Sequence, residues 1–519
     1  MQFLGIIKTK MKINLKENLY PIVGGAIALL FCVLLTFRLG FFDGTPAVES
    51  QVVKKVNALP ARETWLTISQ AGRKIGYAHR NLQPTATGYR LSEKVLLHIN
   101  TMGVAQALHF YTEGDLDHRM ELTSFSFGLD SSLFRFVARG FVQGNLLTLQ
   151  AGAPGEEKKL QIVLQEPLHL AAGLYETSRL TDLKPGAKRV FQVFDPVTMG
   201  NRPVVVTRAD IDETILHQGQ KKRTRKFKLD FMGARQFAWL DEDGVVIREK
   251  GILGITLEKA SRQEALAGID SAGSADLTAL ASIPANKSIA DPASLQELQV
   301  RLGNLGEGDF FLTGDRQSLQ KDILIIRQES LPVVSGKGTT RPDQTALHAS
   351  LQASPLIQSD HPLILAKVKE IISAGDSDAQ KAKMLVNWVY RNIRKRPVLS
   401  VPDALSTLKN LVGDCNEHAV LLAALARAAG IPAEVEAGLV YLRGRFYYHA
   451  WNALYLGDGW VTADAVFGQM PADVTHIRFV RGPAERQMDL LGLVGRLNLK
   501  IVNLSYHTSK NNADSGVTR

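Results

Sequence analysis

The residue best placed to act as a nucleophile in this 519-residue chain is Cys415. It follows Gly413 and Asp414 and opens the segment NEHAVLLAALARAAGIP, whose apolar residues repeat with helical spacing until Gly430 and Pro432. This pattern predicts a helix that begins at the cysteine. The positive end of a helix dipole favours thiolate over thiol, so the sequence predicts an activated sulfur.

A histidine and an aspartate downstream could complete such a site. His449 lies in RFYYHAWNALYL, which has the aromatic content of a strand, and Asp464 ends the following strand-like segment, GWVTAD. If the intervening turn pairs Tyr455 with Trp460, His449 and Asp464 become diagonal neighbours on one face of the hairpin. A different turn length would place them on opposite faces, so the sequence permits this geometry without requiring it.

The order of a cysteine at a helix start, a histidine on a strand and an aspartate on the next strand resembles the transglutaminase-like superfamily, which shares its core with papain-type thiol proteases. The resemblance covers residues 344–506 and is carried by GDCNEHAVLLAALARAAGIPA, YYHAW and GWVTADA. It implies a bacterial, membrane-anchored member with Cys415 as nucleophile, His449 as base and Asp464 as the residue that orients the histidine. Many members have proline where this chain has Ala465, and no glutamine shortly before the cysteine identifies a second oxyanion donor.

The resemblance implies a thiol acyl-transfer enzyme that attacks amide or peptide bonds through a thioester intermediate. Water would complete hydrolysis and an amine would complete transfer. We expect a cysteine peptidase or amidase acting on a protein or peptide, in preference to a cross-linking enzyme. The alternative is a non-catalytic assembly protein that keeps the fold and binds a peptide or an envelope component.

Other residues near the predicted triad have supporting interpretations. Trp451 and Trp460 could wall a substrate cleft, although aromatic residues on paired strands are more often core residues. Glu417 and His418 follow the cysteine on the predicted helix and are interpreted as supporting groups. The sequence has no second ligand pair with zinc spacing, so we expect neither a metal nor a cofactor.

Composition and charge exclude several classes of protein. Hydrophobic residues make up 45% of the chain and charged residues 22%, which are values typical of globular proteins and not of disordered or many-span membrane proteins. Much of the net charge of +10 is scattered, and the densest basic run, Lys221 to Lys228, lies between β-like segments without a nucleic-acid recognition motif. We therefore expect no nucleic-acid partner, and a solvated ribbon or sheet edge at this run. An anion- or lipid-surface binder that uses the run is a third hypothesis.

The N-terminus has the pattern of an uncleaved membrane anchor. Four lysines between Lys8 and Lys16 precede an apolar run that starts at Pro21 and extends past Arg38, about 20 residues in all, which is long enough for one membrane-spanning helix. The basic flank predicts a single-pass inner-membrane protein with most of its chain in the periplasm. A cleaved signal peptide is the alternative, but the residues after Phe37 make a poor cleavage site. Only Cys32, in the apolar run, accompanies Cys415, so no disulfide framework is expected.

The chain divides by composition and periodicity into six predicted segments. They are a basic stub and transmembrane anchor at 1–45, a β-rich extracytoplasmic domain at 46–260, a linker at 261–292, a short β-like segment at 293–343, the transglutaminase-like domain at 344–506 and a tail at 507–519. The predicted fold class is α+β: a papain-like transglutaminase-type C-terminal domain and a large N-terminal antiparallel β domain, after one transmembrane helix.

Overall fold

The structure of the protein is a computed structural model. It describes residues 59–506 except for 132–133, 156, 177–179, 181, 196–199, 232, 270–274, 307, 332–343, 399–400 and 458. The predicted anchor at 1–45 and the predicted tail at 507–519 lie outside the described residues. Among the residues that are described, no helix is both long enough and apolar enough to cross a membrane.

The N-terminal part of the described chain forms one 16-stranded sheet. Its strands are β1 (Arg62–Gln70), β2 (Arg73–Thr85), β3 (Gly88–Thr101), β4 (Val104–Leu116), β5 (Leu122–Asp130), β6 (Arg135–Gln143), β7 (Leu146–Gly152), β8 (Lys158–Val163), β9 (Leu168–His169), β10 (Lys188–Asp195), β11 (Gly200–Arg208), β12 (Glu213–His217), β13 (Gln220–Phe231), β14 (Ala234–Leu240), β15 (Val246–Lys250) and β16 (Ile255–Ala260). The strands β1 to β8 follow one another as antiparallel neighbours, and β1 also pairs with β16, which joins this run to the strands that precede β16. Short 3₁₀ helices lie at Ala171–Glu176 and Ile252–Gly254.

Alternation of buried and exposed side chains explains why these segments form strands. In β1 the buried residues are Thr64, Leu66, Ile68 and Gln70, which recur at every second position and so point to one face. The turn into β2 is made by Ala71 and Gly72, both with positive φ (49° and 78°). Two such residues in succession match the right-handed twist of the strands on either side.

The basic run from Lys221 to Lys228 lies on β13, which pairs with β11, β12 and β14 and is therefore inside the sheet and not at its edge. Acidic side chains accompany it. Lys226 Nζ lies 2.8 Å from Oε1 of Glu213, and Lys228 Nζ lies 2.8 Å from Oδ2 of Asp230. These ion pairs offset part of the positive charge of the run.

The C-terminal part contains the remaining strands and all seven α-helices of the described chain. The strands are β17 (Ile283–Pro284), β18 (Leu295–Gly303), β19 (Gln317–Gln320), β20 (Ile323–Arg327), β21 (Arg394–Lys395), β22 (Val412–Gly413), β23 (Ala433–Leu442), β24 (Arg445–Leu456), β25 (Gly459–Ala463), β26 (Ile477–Gly482) and β27 (Asn498–Tyr506). The helices are α1 (Arg262–Leu266), α2 (Leu277–Ala281), α3 (Gln344–Ala349), α4 (Pro362–Ile371), α5 (Asp378–Asn392), α6 (Ala404–Asn410) and α7 (Cys415–Ala428), with 3₁₀ helices at Pro292–Ser294 and Ala484–Gly492.

The helix α7 is the centre of this part. It packs against β23 and β24 of a five-stranded sheet on one side and against α4, α5 and α6 on the other. Every residue from Glu417 to Ala426 is buried, which explains why its sequence is apolar around most of its circumference. The sheet and the helices thus hold the start of α7 in a fixed position relative to β24.

A second, four-stranded sheet has the order β19-β20-β18-β27, so the segment after residue 293 pairs with the last described strand of the chain. Its buried residues, such as Leu298 and Ile326, belong to the same core as Phe446 and Phe479 of the five-stranded sheet. The predicted segments 293–343 and 344–506 therefore share one core.

The segment predicted to be a linker, 261–292, contains secondary structure. The helix α1 begins with a capping box between Ser261 and Glu264, and Asp276 caps α2. Arg445 of β24 donates to the hydroxyl of Ser282 at 2.7 Å, which ties the end of this segment to the five-stranded sheet. The segment is therefore fastened to the C-terminal part in its later half.

The large sheet and the C-terminal part meet close to the predicted nucleophile. Phe134, next to β6, packs with Val398 and Val412 in a small buried cluster, and Val412 is three positions before Cys415. Nearby, Gln106 donates to the carbonyl oxygen of Pro397 at 3.1 Å. The N-terminal sheet therefore supports the strand that leads into the cysteine.

The predicted α+β fold class with one transmembrane helix is wrong. The chain is mostly β, with 50% of its residues in strands and 20% in helices, and no membrane-spanning helix is found among the described residues. The helical periodicity that suggested α+β is confined to the stretch between about α4 and α7. Strands continue on both sides of that stretch, and the large sheet dominates the count.

Candidate active site

Cys415 is the first residue of α7, where the sequence predicts it. Asp414 caps the helix: its Oδ1 accepts a hydrogen bond from the N–H of Asn416 at 2.8 Å, and its own N–H donates to Oε2 of Glu417 at 2.9 Å. This capping box fixes the direction in which the helix leaves β22. A side chain at Gly413 would not fit, since an added Cβ would lie 2.3 Å from Cβ of Glu417.

The half-buried side chain of Cys415 lies against β24, where it receives a hydrogen bond from the main chain of Ala450. Ala450 directly follows His449, so the sulfur is next to the strand that carries the predicted base. Burial raises the pKa of the Cys415 thiol well above its usual value, and the nearby charges of Asp414 and Glu417 raise it further. The predicted resting thiolate is therefore wrong, because burial of the thiol, together with the carboxylates that cap α7, outweighs the positive end of the helix dipole.

His449 and Asp464 are brought together by the hairpin of β24 and β25. Tyr455 pairs with Trp460 in this hairpin, which is the register that puts the two residues on one face. The distance from His449 Nε2 to Asp464 Oδ2 is 2.7 Å, and the carboxylate is fully buried. Because Nε2 is engaged in this way, Nδ1 is the ring nitrogen left to meet a thiol.

The carboxylate of Asp464 is surrounded by donors. Its Oδ1 accepts from the N–H groups of Val466 at 2.6 Å and Phe467 at 3.2 Å, in the turn that follows β25. Its Oδ2 lies close to His449 and also 2.9 Å from Nε2 of His476. Burial would raise the pKa of Asp464, but the two imidazoles and these hydrogen bonds hold it far below its usual value. Asp464 is therefore ionised under all ordinary conditions.

His476 is a residue that sequence reasoning missed. It is completely buried, one position before β26, and Asp473 lies on its other side, with Oδ1 at 3.3 Å from His476 Nδ1. No local motif marks this histidine in the sequence. It reaches Asp464 only because the chain after Asp464 turns back, with Gln469 and Asp464 exchanging main-chain hydrogen bonds of 2.9 Å.

The two tryptophans predicted to wall a cleft have different positions. Trp451 is 1% exposed, stacks beside His449 with 6.0 Å between ring centroids, and donates from Nε1 to Glu436 at 2.6 Å. It is a core residue behind the histidine and offers no surface to a substrate. Trp460 is half-buried and lines a cavity of about 450 Å³ together with Glu329 and residues of β19.

The hydrogen-bond partner of Trp451, Glu436, belongs to a cluster of buried charged residues. Oε1 of Glu436 lies 2.6 Å from Nη2 of Arg481 and 3.1 Å from Nη1 of Arg478, and both arginines also contact Asp315. Burial would raise the pKa of Glu436, but the arginines lower it to about 2. Paired charges of this kind hold a rigid arrangement, because breaking one pair leaves the other charge buried alone.

The predicted supporting group His418 lies on the first turn of α7 and is 1% exposed. Its Nδ1 is 2.6 Å from the carbonyl oxygen of Asp414, and burial lowers its pKa, so the ring is neutral. A neutral ring with this contact donates from Nδ1. His418 therefore adds one more hydrogen bond to the cap beneath the cysteine.

The residues His449, Asp464 and His476 each offer a ligand atom, and these atoms lie within 4.8 Å of one another. A metal could be held by this donor set only if it displaced the hydrogen bonds of 2.7 and 2.9 Å that join the two imidazoles to the carboxylate. In this structure hydrogen bonds join the three side chains.

Comparison with known proteins gives a family match for part of the chain. Residues 366–465 match the model of the transglutaminase-like superfamily. The chain contains a transglutaminase-like domain. The match includes Cys415, His449 and Asp464 and ends before His476. No curated protein matches the sequence.

Solved structures show only distant similarity. A candidate cysteine protease from Cytophaga hutchinsonii is 15% identical and has a TM-score of 0.26, over 40% of this chain and 86% of that protein. A candidate protease from Parabacteroides distasonis is 10% identical with a TM-score of 0.19, over 47% and 64% of the two chains. A β-barrel-like protein from Brucella abortus is 8% identical with a TM-score of 0.31, over 40% of this chain and all of that protein.

Within the transglutaminase-like domain, the three predicted catalytic residues occupy one region. Cys415 starts α7, the main chain of Ala450 contacts its sulfur, and the neighbouring His449 is bonded to Asp464. A thiol, an imidazole and a buried carboxylate in this order can carry out nucleophilic acyl transfer.

Proposed function

We propose that this protein is a thiol acyl-transfer enzyme that cleaves amide or peptide bonds of a protein or peptide substrate. The observation that supports it best is the placement of the Cys415 sulfur against Ala450, while the adjacent His449 is fixed by Asp464 through the 2.7 Å hydrogen bond. The family match gives the domain type, and the reaction is inferred from these contacts.

The proposed reaction begins from a neutral thiol. His449 Nδ1 takes the proton of Cys415 as the sulfur attacks the acyl carbon, because the raised pKa of the thiol makes a free thiolate unfavourable before substrate binds. The new S–C bond gives a tetrahedral oxyanion. His449 then gives the proton to the leaving nitrogen, the C–N bond breaks, and a thioester remains on Cys415.

The second half of the reaction restores the enzyme. Water gives a proton to His449 and attacks the thioester, after which the C–S bond breaks and the thiol regains its proton. An amine in place of water would give transfer. We favour hydrolysis, since Cys415 as a residue is half-buried and the site is not fully closed to solvent.

Asp464 and the start of α7 complete the proposed machinery. The carboxylate holds the tautomer of His449 that carries its proton on Nε2 and stabilises the imidazolium formed during attack. The N–H of Cys415 is the first amide of α7, and we assign it as one donor to the oxyanion, since Asp414 and its capping box engage the amides that follow.

The experiment that tests this function traps the thioester. A chain with Cys32→Ala retains one thiol, Cys415, and can be incubated with a library of peptides and peptide amides, followed by rapid acid quenching and mass spectrometry. We expect an acyl adduct on Cys415 that hydroxylamine removes. A matched Cys415→Ser chain serves as the control and should carry far less adduct.

A lack of any adduct, combined with tight binding of a peptide from the same library, would contradict the enzyme. That result would instead support the alternative of a binding protein on a transglutaminase-like fold.

A further inference from the structure

One carboxylate oxygen of Asp464 is hydrogen-bonded to two histidines. Oδ2 lies 2.7 Å from Nε2 of His449 and 2.9 Å from Nε2 of His476. The proposed reaction uses only the first of these contacts. The second histidine is completely buried and is bonded to the same atom that orients the base, so its protonation state affects the site directly.

Both ring nitrogens of His476 face oxygen atoms. Nε2 faces Asp464, and Nδ1 lies 3.2 Å from the carbonyl oxygen and 3.3 Å from Oδ1 of Asp473. That carboxylate oxygen already accepts hydrogen bonds from the main chain and the hydroxyl of Thr475, at 2.9 and 2.6 Å. Carbonyl oxygens and ionised carboxylate oxygens can only accept hydrogen bonds. Each nitrogen of His476 faces such an oxygen, so both nitrogens must carry a proton. The geometry therefore describes a buried imidazolium.

The electrostatic surroundings agree with a cation at this position. Burial alone would lower the pKa of His476, but its hydrogen bonds to Asp464 and Asp473 raise it to about 9. Burial would raise the pKa of Asp473, but His476 and the hydrogen bonds from Thr475 and Gln469 hold it well below its usual value. Two carboxylates thus face one imidazolium.

We propose that His476 is a positioning residue of the active site, which holds the Asp464 carboxylate in place as a buried cation. This inference rests on the proposed function, since it assigns His449 as the base. The His476 imidazolium fixes the direction of the Asp464 carboxylate, which would otherwise have His449 as its one side-chain partner.

Other charged groups near His476 are fixed in the same structure. Arg316 donates from Nη2 to the carbonyl oxygen of His476 at 3.0 Å and from Nη1 to that of Ala472 at 2.6 Å. On the other side, the ammonium group of Lys395 is close enough to Asp464 to interact with its charge. Burial lowers the pKa of both Arg316 and Lys395, so the comparison with His476→Gln is what assigns a pH dependence to the histidine.

The first test measures the ionisation of His476 in the full chain. Histidine labelled with ¹³C and ¹⁵N in the ring gives signals that report protonation at each nitrogen, and a His476→Gln variant identifies the signal of this residue. We expect both ring nitrogens to be protonated near pH 7, with a titration midpoint well above the ordinary value of about 6.5. A neutral ring at pH 7 would overturn the proposal, and this measurement needs no enzymatic activity.

The second test separates the charge of His476 from its hydrogen bond. Glutamine at this position removes the cation but keeps an N–H donor for Asp464, so alkylation of Cys415 by iodoacetamide should be largely retained. Alanine removes both, and the rate of Cys415 alkylation by iodoacetamide near pH 7 should fall about tenfold as His449 loses its orientation.

The matched control is His169→Gln, which changes another buried histidine of the chain, located in the N-terminal sheet. It should leave the alkylation of Cys415 unchanged. Alkylation of Cys415 in His476→Ala as fast as in the parent chain would overturn the positioning role. If Cys415 of the parent chain forms no thioester while His476 is cationic, the proposed function fails and the ionisation stands, so the two failures are distinguishable.

Discussion

Nε2 of His449 lies 2.7 Å from Oδ2 of Asp464, and the residue after this histidine, Ala450, donates a main-chain hydrogen bond to the sulfur of Cys415. The imidazole is therefore fixed by a buried carboxylate, and it lies on the strand whose main chain contacts the thiol. In the proposed reaction Cys415, His449 and Asp464 have separate roles, and each role can be changed on its own.

Replacing Asp464 with Asn removes the acceptor that selects the tautomer of His449. Because an amide can present N–H groups toward Nε2, the ring can reverse its tautomer and place a proton on Nδ1, where it cannot accept one from Cys415. We expect the rate of hydrolysis of a peptide that forms the thioester to fall about 10³-fold or more, as for comparable triads. The exposed Asp322→Asn, whose partner Arg301 lies at the surface, should leave turnover unchanged. Full turnover in Asp464→Asn would show that the carboxylate does not orient the base.

Neutralising Asp414 should activate the thiol at rest. Its charge raises the pKa of Cys415, and Asn is as good a helix cap as Asp, so Asp414→Asn removes the charge while the cap remains. The pKa of Cys415 should fall, and the midpoint of alkylation by iodoacetamide should move to lower pH. Asp378→Asn, at the exposed first turn of α5, is the control. An unchanged midpoint would mean that Asp414 does not set the thiol pKa.

Adding one methyl group at Gly413 should disturb the start of α7. The new Cβ would lie 2.3 Å from Cβ of Glu417, so the capping box must open or the strand must move. We expect Gly413→Ala to lower the free energy of unfolding by about 1 to 3 kcal/mol, as overpacking usually does. Gly375→Ala, where an added Cβ meets nothing within 4 Å, is the matched control for urea unfolding. Equal stability of the two variants would contradict the close approach.

The stability of the protein should fall as the pH rises from about 6.5 to about 9. The folded pKa of His476 is raised to about 9, so its stabilising effect is fully present below the unfolded value of about 6.5 and is lost as pH increases through this window. The loss should be up to about 3 kcal/mol in the free energy of unfolding, measured by urea at several pH values. His476→Gln should lack this dependence, while His169→Gln should keep it. Equal slopes in the parent chain and His476→Gln would contradict the raised pKa.

The site residues that the sequence predicts are those with local signals. Cys415 starts an apolar helix, and His449 and Asp464 lie on adjacent strands joined by a short turn, so spacing alone indicates their neighbourhood. The pKa of the thiol was predicted in the wrong direction because the helix dipole was considered without the burial of the sulfur and without the carboxylates of the cap. His476 was missed because its contact with Asp464 depends on how residues 465–476 turn back, which no short pattern encodes.

Much of the fold could not be predicted from the sequence. Alternating residues such as Leu66 and Ile68 indicate strands, but they do not tell how many strands join one sheet or which strands pair across long separations. The pairing of β18 with β27 joins residues about 200 positions apart. Trp451 illustrates the same limit: its aromatic ring suits a cleft or a core, and the buried Glu436 beside it decides for the core.

The most direct test of the central claim is the rate at which iodoacetamide alkylates Cys415 near pH 7 in a Cys32→Ala chain, with and without His449→Gln. If His449 accepts the thiol proton, the parent chain should react about tenfold faster than the variant, because a thiol with a raised pKa reacts slowly without its base. Equal rates in the two chains, at the slow rate of a buried thiol, would contradict a working pair of Cys415 and His449.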